Sequence, residues 1–264
     1  MSKYLLKHCP PNPTLEYAES IKIPKGTLEI ISEGGGSTID VGKWLARKYN
    51  LKHTAVPTTA GTGSEVTKYC VLMENGKKVT HTDEKFIPQN FILNPELVTT
   101  CPKEVTLSAG LDAMSQALEA LWSKNRTPES MFYSESALNL IPKYLTNSLK
   151  NPKDITARFN MLIAANFSGR AINITGTNVC HAISYPLTEI YGISHGLACG
   201  MSLAYFAKKM ANVDLSEFLK GLGLPKQDID IDKIASIVIE NEKLENCWLP
   251  VTKEDIIASL SPVL

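Results

Sequence analysis

Four residues in the second half of the chain could gather around a divalent metal. Asp112 and Gln116 are four apart, so a helix would put both on one face. His181 and His195 lie 14 apart, the second inside Ser194-His195-Gly196. Carboxylate and imidazole groups suit a divalent transition metal, whereas the amide oxygen of Gln116 is a poor ligand. The chain has only five histidines, and two of them fall in this short region. Two hydrogen-bonded histidines between packed helices would use the same residues. His8, His53 and His81 show no partner pattern and read as surface or structural.

Two glycine-rich segments offer a second chemistry. Gly34-Gly35-Gly36-Ser37-Thr38-Ile39-Asp40-Val41-Gly42-Lys43 follows a β-prone run and opens a helical one. Glycines there let backbone N–H groups approach an anion, and a helix N-terminus adds a favourable partial charge. Ser37 and Thr38 are placed to cap the helix and to donate to phosphate oxygens. A tight strand-to-helix turn would need the same residues. The segment is not a P-loop: Ser37 stands where that motif has its first glycine, and Trp44 where it has Ser or Thr. Nor is it G-x-G-x-x-G. The second segment, Val56-Pro57-Thr58-Thr59-Ala60-Gly61-Thr62-Gly63-Ser64-Glu65, has hydroxyls and glycines suited to ribose and diphosphate. Two such loops are a stronger signal than one, because ligands sit at the carboxyl ends of parallel strands.

Strands must carry these loops, and helices must carry the ligands. Residues 27–31, 53–56 and 90–93 read as strands, with a helix over 39–49. Strand, helix, strand in that order predicts parallel pairing. Asn75-Gly76 between 69–73 and 78–81 predicts a hairpin, since a type I′ turn needs φ > 0 at both positions. After Pro102 the pattern turns helical, over 105–122, 130–145, 155–172, 195–210, 231–240 and 253–260, with Pro142 and Pro152 as punctuation. The expected division is an α/β part over 1–101 and an all-helical part over 102–264.

Composition sets the outer bounds. The 264 residues carry 27 basic and 27 acidic side chains, 44% apolar and 20% charged, an ordinary globular balance. Global disorder is excluded by the apolar content. Zero net charge gives no push toward nucleic acid. No stretch approaches the roughly 18 apolar residues of a spanning helix, and the first residues lack the long apolar core of a leader. A cytoplasmic chain with no membrane partner is therefore expected. The six cysteines are scattered without a C-x-x-C pair and read as buried thiols without a function.

Together these segments resemble the iron-containing (group III) alcohol dehydrogenases. The family's loops read G-G-G-S-x-x-D and P-x-T-A/T-G-T-G-S-E, matched by Gly34 to Asp40 and Pro57 to Glu65. Its metal helix reads G-x-D-A-x-x-H-A-x-E, here Gly110 to Glu119. Its last histidines, in H-A-x-x-H and P-H-G, correspond to His181 to Tyr185 and Ser194 to Gly196. The resemblance runs from about Pro11 to the C-terminus. It implies the dehydroquinate synthase-like architecture, an α/β domain binding NAD or NADP followed by an all-α domain. It also implies a divalent metal (iron first, then zinc), a small aldehyde or alcohol substrate in the cleft, and a homodimer. By position, Asp112, Gln116, His181 and His195 become metal ligands. Gly35, Gly36, Ser37, Thr58 and Thr59 line the dinucleotide, and Lys78 approaches the nicotinamide ribose.

This chain departs from the family pattern in three places. Gln116 replaces a histidine ligand. Tyr185 replaces a histidine near the nicotinamide, and its phenol is a candidate general acid. Glu33 precedes the triple glycine where an aliphatic residue is usual, and is expected to be solvated. The wording around Gln116, Trp122 and Tyr185 resembles a branch linked to phosphonate metabolism that includes phosphonoacetaldehyde reductases. An anionic substrate would want cations, and Lys124, Arg126 and Arg170 are the candidates. The match also begins almost at Met1 and shortens after Met210, so a truncated, non-catalytic homologue with a structural role is the alternative. Zinc- and NAD-using relatives such as dehydroquinate synthase and glycerol dehydrogenase form a third reading.

Overall fold

The computed structural model describes residues 8–261. The reading of the first residues as lacking a leader falls partly on residues 1–7, outside the described residues. A short helix α1 (Leu15–Ser20) precedes β1 (Glu29–Gly34), α2 (Gly36–Tyr49) and β2 (Lys52–Pro57). β1 and β2 pair in parallel as expected, with Ile30 opposite His53 and Gly34 opposite Pro57. That register ends both strands at one height, so the two glycine-rich loops leave the sheet side by side. β3 (Tyr69–Glu74) and β4 (Lys77–Thr82) form the predicted antiparallel hairpin, with φ of 49° at Asn75 and 78° at Gly76. β5 (Asn90–Phe91) adds to β2 in parallel and is shorter than expected, giving the order β1-β2-β5. The chain then turns into a 3₁₀ segment, Pro95–Val98, capped by Asn94.

One buried ion pair ties the sheet layer together. Lys43 in α2 is fully buried and donates to Thr67 Oγ1 (3.1 Å) and the Tyr69 carbonyl (2.7 Å). Asp40, one turn earlier, lies 3.6 Å from its ammonium and accepts from Ser64 Oγ (2.6 Å) and the Val71 amide (3.0 Å). The motif residues Asp40 and Lys43 thus hold α2 to β3 and to the second loop.

Beyond Pro102 come α3 (Lys103–Leu121), α4 (Pro128–Lys150), α5 (Ile155–Thr175), α6 (Val179–Tyr191), α7 (His195–Ala211), α8 (Ser216–Leu222), α9 (Ile231–Val238) and α10 (Lys253–Leu260). α3 runs through the middle of this bundle against α4, α5 and α7. Its Leu111, Met114 and Leu118 meet Ile141 and Leu145 of α4 and Phe206 of α7 in one buried core. Pro142 does not break the chain but lies inside α4. Its neighbours Ile141 and Leu145 are fully buried, and that packing outweighs the one backbone hydrogen bond proline removes. Helices α6 and α8 were not anticipated. α6 contains Pro186, which reads as a helix stop in sequence, yet its residues Val179 to Ser184, Pro186 and Leu187 are buried and hold the helix together.

The last helix docks through Asp255. This carboxylate ion-pairs with Lys209 and accepts from Tyr205 (2.6 Å), both on α7, while Thr252 and Asp255 form a capping box. Burial opposes its charge, but Lys209, Tyr205 and the Thr252 amide outweigh it and lower its pKa to about 2. The depressed value contributes stability above the ordinary carboxylate pKa of 3.8 that is lost as pH falls through about 2. Asp255→Asn is therefore expected to cost about 2 kcal/mol at neutral pH and almost nothing near pH 2. Urea titrations at both pH values check this, and a pH-independent cost would refute it.

Candidate metal and nucleotide cleft

A cleft of about 980 Å³ opens between the start of α2, the β3–β4 hairpin and helices α3, α6 and α7. Gly36, Ser37, Lys78, Asp112, Gln116, His181, Tyr185 and His195 all line it, so the fold brings eight of the predicted site residues to one cavity. Gly35, Thr58 and Thr59 stand just behind the wall. A Cβ on Gly35 would lie 3.5 Å from the Thr59 side chain, and the Thr58 amide donates to the Gly34 carbonyl (2.9 Å).

Close approach of helices sets the ligand geometry. Asp112 projects from the buried face of α3. His195 opens α7, and Gly196 beside it presses on α3: a Cβ there would sit 1.8 Å from the Ser108 carbonyl oxygen. His181 sits in the first turn of α6, whose N-cap Asn178 accepts from Trp122 Nε1 (2.7 Å) and donates to the Glu119 carbonyl (3.0 Å). These contacts put His181 Nε2 at 3.4 Å and His195 Nε2 at 3.8 Å from Asp112 Oδ1. That oxygen is buried and has no hydrogen-bond partner. Tetrahedral ligands of one metal are expected about 3.3–3.8 Å apart. An orphaned carboxylate oxygen facing two imidazoles at such spacings fits a divalent cation.

Partners behind the ligands orient them. Glu119, fully buried, accepts from the Cys180 amide (2.6 Å), the His181 amide (3.1 Å) and His181 Nδ1 (2.5 Å). Nδ1 of His181 therefore carries a proton and Nε2 faces Asp112. Ser184 Oγ donates to the His181 carbonyl (2.8 Å), so it accepts from His195 Nδ1 (3.1 Å), and His195 Nε2 likewise points inward. Burial opposes charge on His181, but Glu119 and Asp112 outweigh it and raise its pKa to about 9. Burial lowers His195 to about 4, aided by His181 and Lys78 against Asp112. Burial also opposes charge on Asp112, yet both histidines and the Gln116 amide hold its carboxyl below the usual range.

Several expectations need correction. Gln116 lines the cleft, but its Nε2 donates to the Thr62 carbonyl (3.3 Å), which turns its Oε1 toward Ser168 Oγ (2.9 Å), a hydroxyl shared with the Ala165 carbonyl. Ser37 and Thr38 are not caps. Gly35 is the N-cap of α2 and makes no side-chain cap, because the helix starts at Gly36. Gly61 and Gly63 serve packing: a Cβ on Gly61 would stand 2.8 Å from the Ala109 backbone in α3, and one on Gly63 2.4 Å from Gly169 Cα in α5. Lys124, Arg126 and Arg170 do not line the cleft. Arg126 lies over Trp248 (4.4 Å), and Arg170 donates to Asn166 and lies beside Phe91 and Tyr133. The lysines that do face the cleft are Lys78 and Lys243. Glu33 is exposed, as expected. His53 and His81 are structural, bonded to Ser32 (2.9 Å) and Glu74 (2.7 Å).

Sequence reasoning missed Glu119, Ser184, Lys243 and Cys199. The Cys199 sulfur joins Asp112, His181 and His195 in a group whose ligand atoms all lie within 4.8 Å of one another. Its signal was the i, i+4 spacing from His195 on one helix.

Comparison with known proteins agrees with this geometry. Residues 6–95 match the iron-containing alcohol dehydrogenase family, and residues 106–213 match the C-terminal part of the Fe-containing alcohol dehydrogenase family. The phosphonoacetaldehyde reductase of Streptomyces viridochromogenes is 41% identical over 155 residues, 58% of this chain and 39% of that protein. The fold matches a crystal structure of an iron-containing alcohol dehydrogenase from Thermotoga maritima with a TM-score of 0.85 and 29% identity, over 97% of this chain and 81% of that one. It matches the sulfoacetaldehyde reductase of Bifidobacterium kashiwanohense, solved with NAD+, with a TM-score of 0.84 and 30% identity, over 96% and 81%. Matched segments span 39–64% of the length of the curated relatives. Both family matches, the parallel sheet with its helical bundle, and the ligand cluster between them lead to one assignment: the chain belongs to the iron-containing alcohol dehydrogenase family.

Proposed function

We propose that this chain is a metal-assisted, NAD- or NADP-dependent aldehyde reductase, acting on a small aldehyde that carries an anionic group. Residues 1–101 would bind the nucleotide, and residues 102–264 the metal and substrate. The observation that carries this reading is the unpaired Asp112 Oδ1 facing two oriented imidazoles in a cleft shared with the first glycine-rich loop. Asp112, His181 and His195 would hold the cation. The first amides of α2, at Gly36 and Ser37, have no intrahelical acceptor and would receive the diphosphate. A Cβ on Gly36 would meet Thr62 Cγ2 at 2.9 Å, so the glycine lets the second loop pack against the start of α2. When bound, the cation supplies Lewis acidity toward a carbonyl oxygen and the reduced nicotinamide supplies hydride.

The chain's own residues supply the rest. Tyr185 stacks on His195 with ring centroids 6.2 Å apart, beside the ligand cluster. Burial first, then nearby anionic groups, raises its pKa, so the phenol keeps its proton through neutral pH. It is placed to donate that proton to an alkoxide, which is the stronger base. Lys243, which also lines the cleft, lies 5.7 Å from the Tyr185 ring centroid and donates to Thr177 Oγ1 (2.9 Å). The ion-paired lysines and arginines among the described residues are Lys43, Arg47, Lys48, Lys68 and Lys209, which leaves Lys78 and Lys243 free to meet an anion. Phosphonoacetaldehyde is the finer form of this proposal, supported by the 41% identical relative.

Lys243→Met is expected to raise KM for phosphonoacetaldehyde about tenfold or more, the worth of one charge-assisted hydrogen bond. Propanal, with no anionic group, should change little. Steady-state kinetics on both substrates checks this, and equal losses on the two would refute an anion-binding role. The function itself is tested by metal analysis, NADH and NADPH titration, and aldehyde turnover on one anaerobically purified sample. A folded chain that binds neither metal nor nucleotide would refute it and leave the non-catalytic alternative. Homodimer formation belongs to the same proposal. It is supported by exposed Leu28 (78%) and Ile31 (67%) at β1, an edge strand among the described residues, and native mass spectrometry tests it. The described cysteines are all free thiols, which supports a cytoplasmic location. No helix among the described residues is long and apolar enough to cross a membrane.

A further inference from the structure

We propose that Cys199, and not Gln116, is the fourth metal ligand of this chain. The inference rests on the metal-dependent reading above and refines it. The family resemblance puts a ligand at position 116, but there both ends of the amide are engaged. Its nitrogen donates to the Thr62 carbonyl at 3.3 Å, and its oxygen lies 2.9 Å from Ser168 Oγ, whose single proton is shared with the Ala165 carbonyl at 2.9 Å. Turning the amide over would set its oxygen against the Thr62 carbonyl oxygen, acceptor against acceptor. Gln116 therefore offers Asp112 its N–H side, which suits a carboxylate and not a cation.

Cys199 is the remaining donor within reach of the cluster. It follows His195 by one turn of α7, so both side chains leave the helix on the same face. Its sulfur lies within 4.8 Å of the ligand atoms of Asp112, His181 and His195. The residue is fully buried, as are Cys180 and Cys70, yet among the described residues only Cys199 joins a metal-ligand group. Asp112 Oδ1 is the independent sign that the group is built for a cation, being buried and without a hydrogen-bond partner. One carboxylate, two imidazoles and one thiolate make a tetrahedral donor set suited to zinc or ferrous iron. Ligation forms one sulfur–metal bond and releases the thiol proton to solvent, with no change of oxidation state.

Cobalt(II) is the probe, because thiolate ligation gives a sulfur-to-cobalt charge-transfer band in the near ultraviolet. The chain is stripped with chelator, reloaded anaerobically with Co(II), and its spectrum recorded. The expected result is that band in the wild-type chain and in Gln116→Ala. Cys199→Ser and Cys199→Ala should lose it, with Co(II) affinity lower by at least about tenfold, since residues merely supporting ligands already cost that much. Far-ultraviolet circular dichroism of the metal-free variants confirms their fold. A cobalt-loaded wild-type chain without the band overturns the proposal whatever the variants do. If such a chain still reduces aldehydes, the functional reading survives and only Cys199 is lost. A wild-type chain that takes up no cobalt, iron or zinc overturns both.

Discussion

Glu119→Gln is expected to weaken zinc binding by about 10–100-fold, the range for partners that orient ligands. The effect follows from hydrogen counting. The carboxylate accepts three N–H groups, two from the backbone at Cys180 and His181 and one from His181 Nδ1. A glutamine oxygen can still serve the two amides, but its NH₂ then faces Nδ1–H, donor against donor. The ring relieves this by moving its proton to Nε2, the atom 3.4 Å from Asp112 Oδ1. The nitrogen meant for the metal is then blocked. Competition against a chelator of known affinity measures the change. Unchanged affinity would mean that Glu119 does not set the His181 tautomer.

The second large effect lies away from the cleft's centre. Lys43→Met is expected to lower unfolding free energy by about 3–5 kcal/mol, because it strands the buried charge of Asp40. Burial raises the Asp40 pKa and lowers that of Lys43, and each group's charge opposes that shift in the other, with Ser64 and the Val71 amide also favouring the Asp40 carboxylate. The pair's absolute worth is small, while breaking it is costly. Adding Asp40→Asn removes the stranded charge and keeps an amide oxygen for the Val71 N–H, so it should recover about half of the loss. Denaturant titration of the single and double variants checks this. A single-variant cost below about 1 kcal/mol would show that Asp40 is already neutral or solvated. α2 and the second glycine-rich loop should loosen in Lys43→Met, since Asp40 binds Ser64 and Lys43 binds Thr67.

What the sequence determined was whatever is local. The Asn75-Gly76 turn was legible because φ > 0 at two adjacent positions is a property of those residues alone. Helix α4 was legible because it buries one face, at Ser134, Ala137, Ile141, Leu145 and Ser148, and leaves another wet, which writes a 3.6-residue period into the chain. The two loops and the Asp112, His181 and His195 motifs could be read from residue types and short spacings. α6 was not legible, because Pro186 inside it reads as a helix stop, and only its packed residues override that signal. Tertiary structure alone decided which atoms meet. Gly196 against Ser108 brings α7 onto α3, and the Asn178 cap fixes α6 beside them. From that packing follow the unpaired Asp112 oxygen, the Glu119 contact to His181 and the arrival of Cys199. Gln116 fits the ligand pattern in sequence, yet Ser168 and the Thr62 carbonyl, both remote along the chain, turn its oxygen away. Sequence spacing says which face a side chain shares, whereas the direction of a lone pair depends on hydrogen-bond partners that only folding brings into reach.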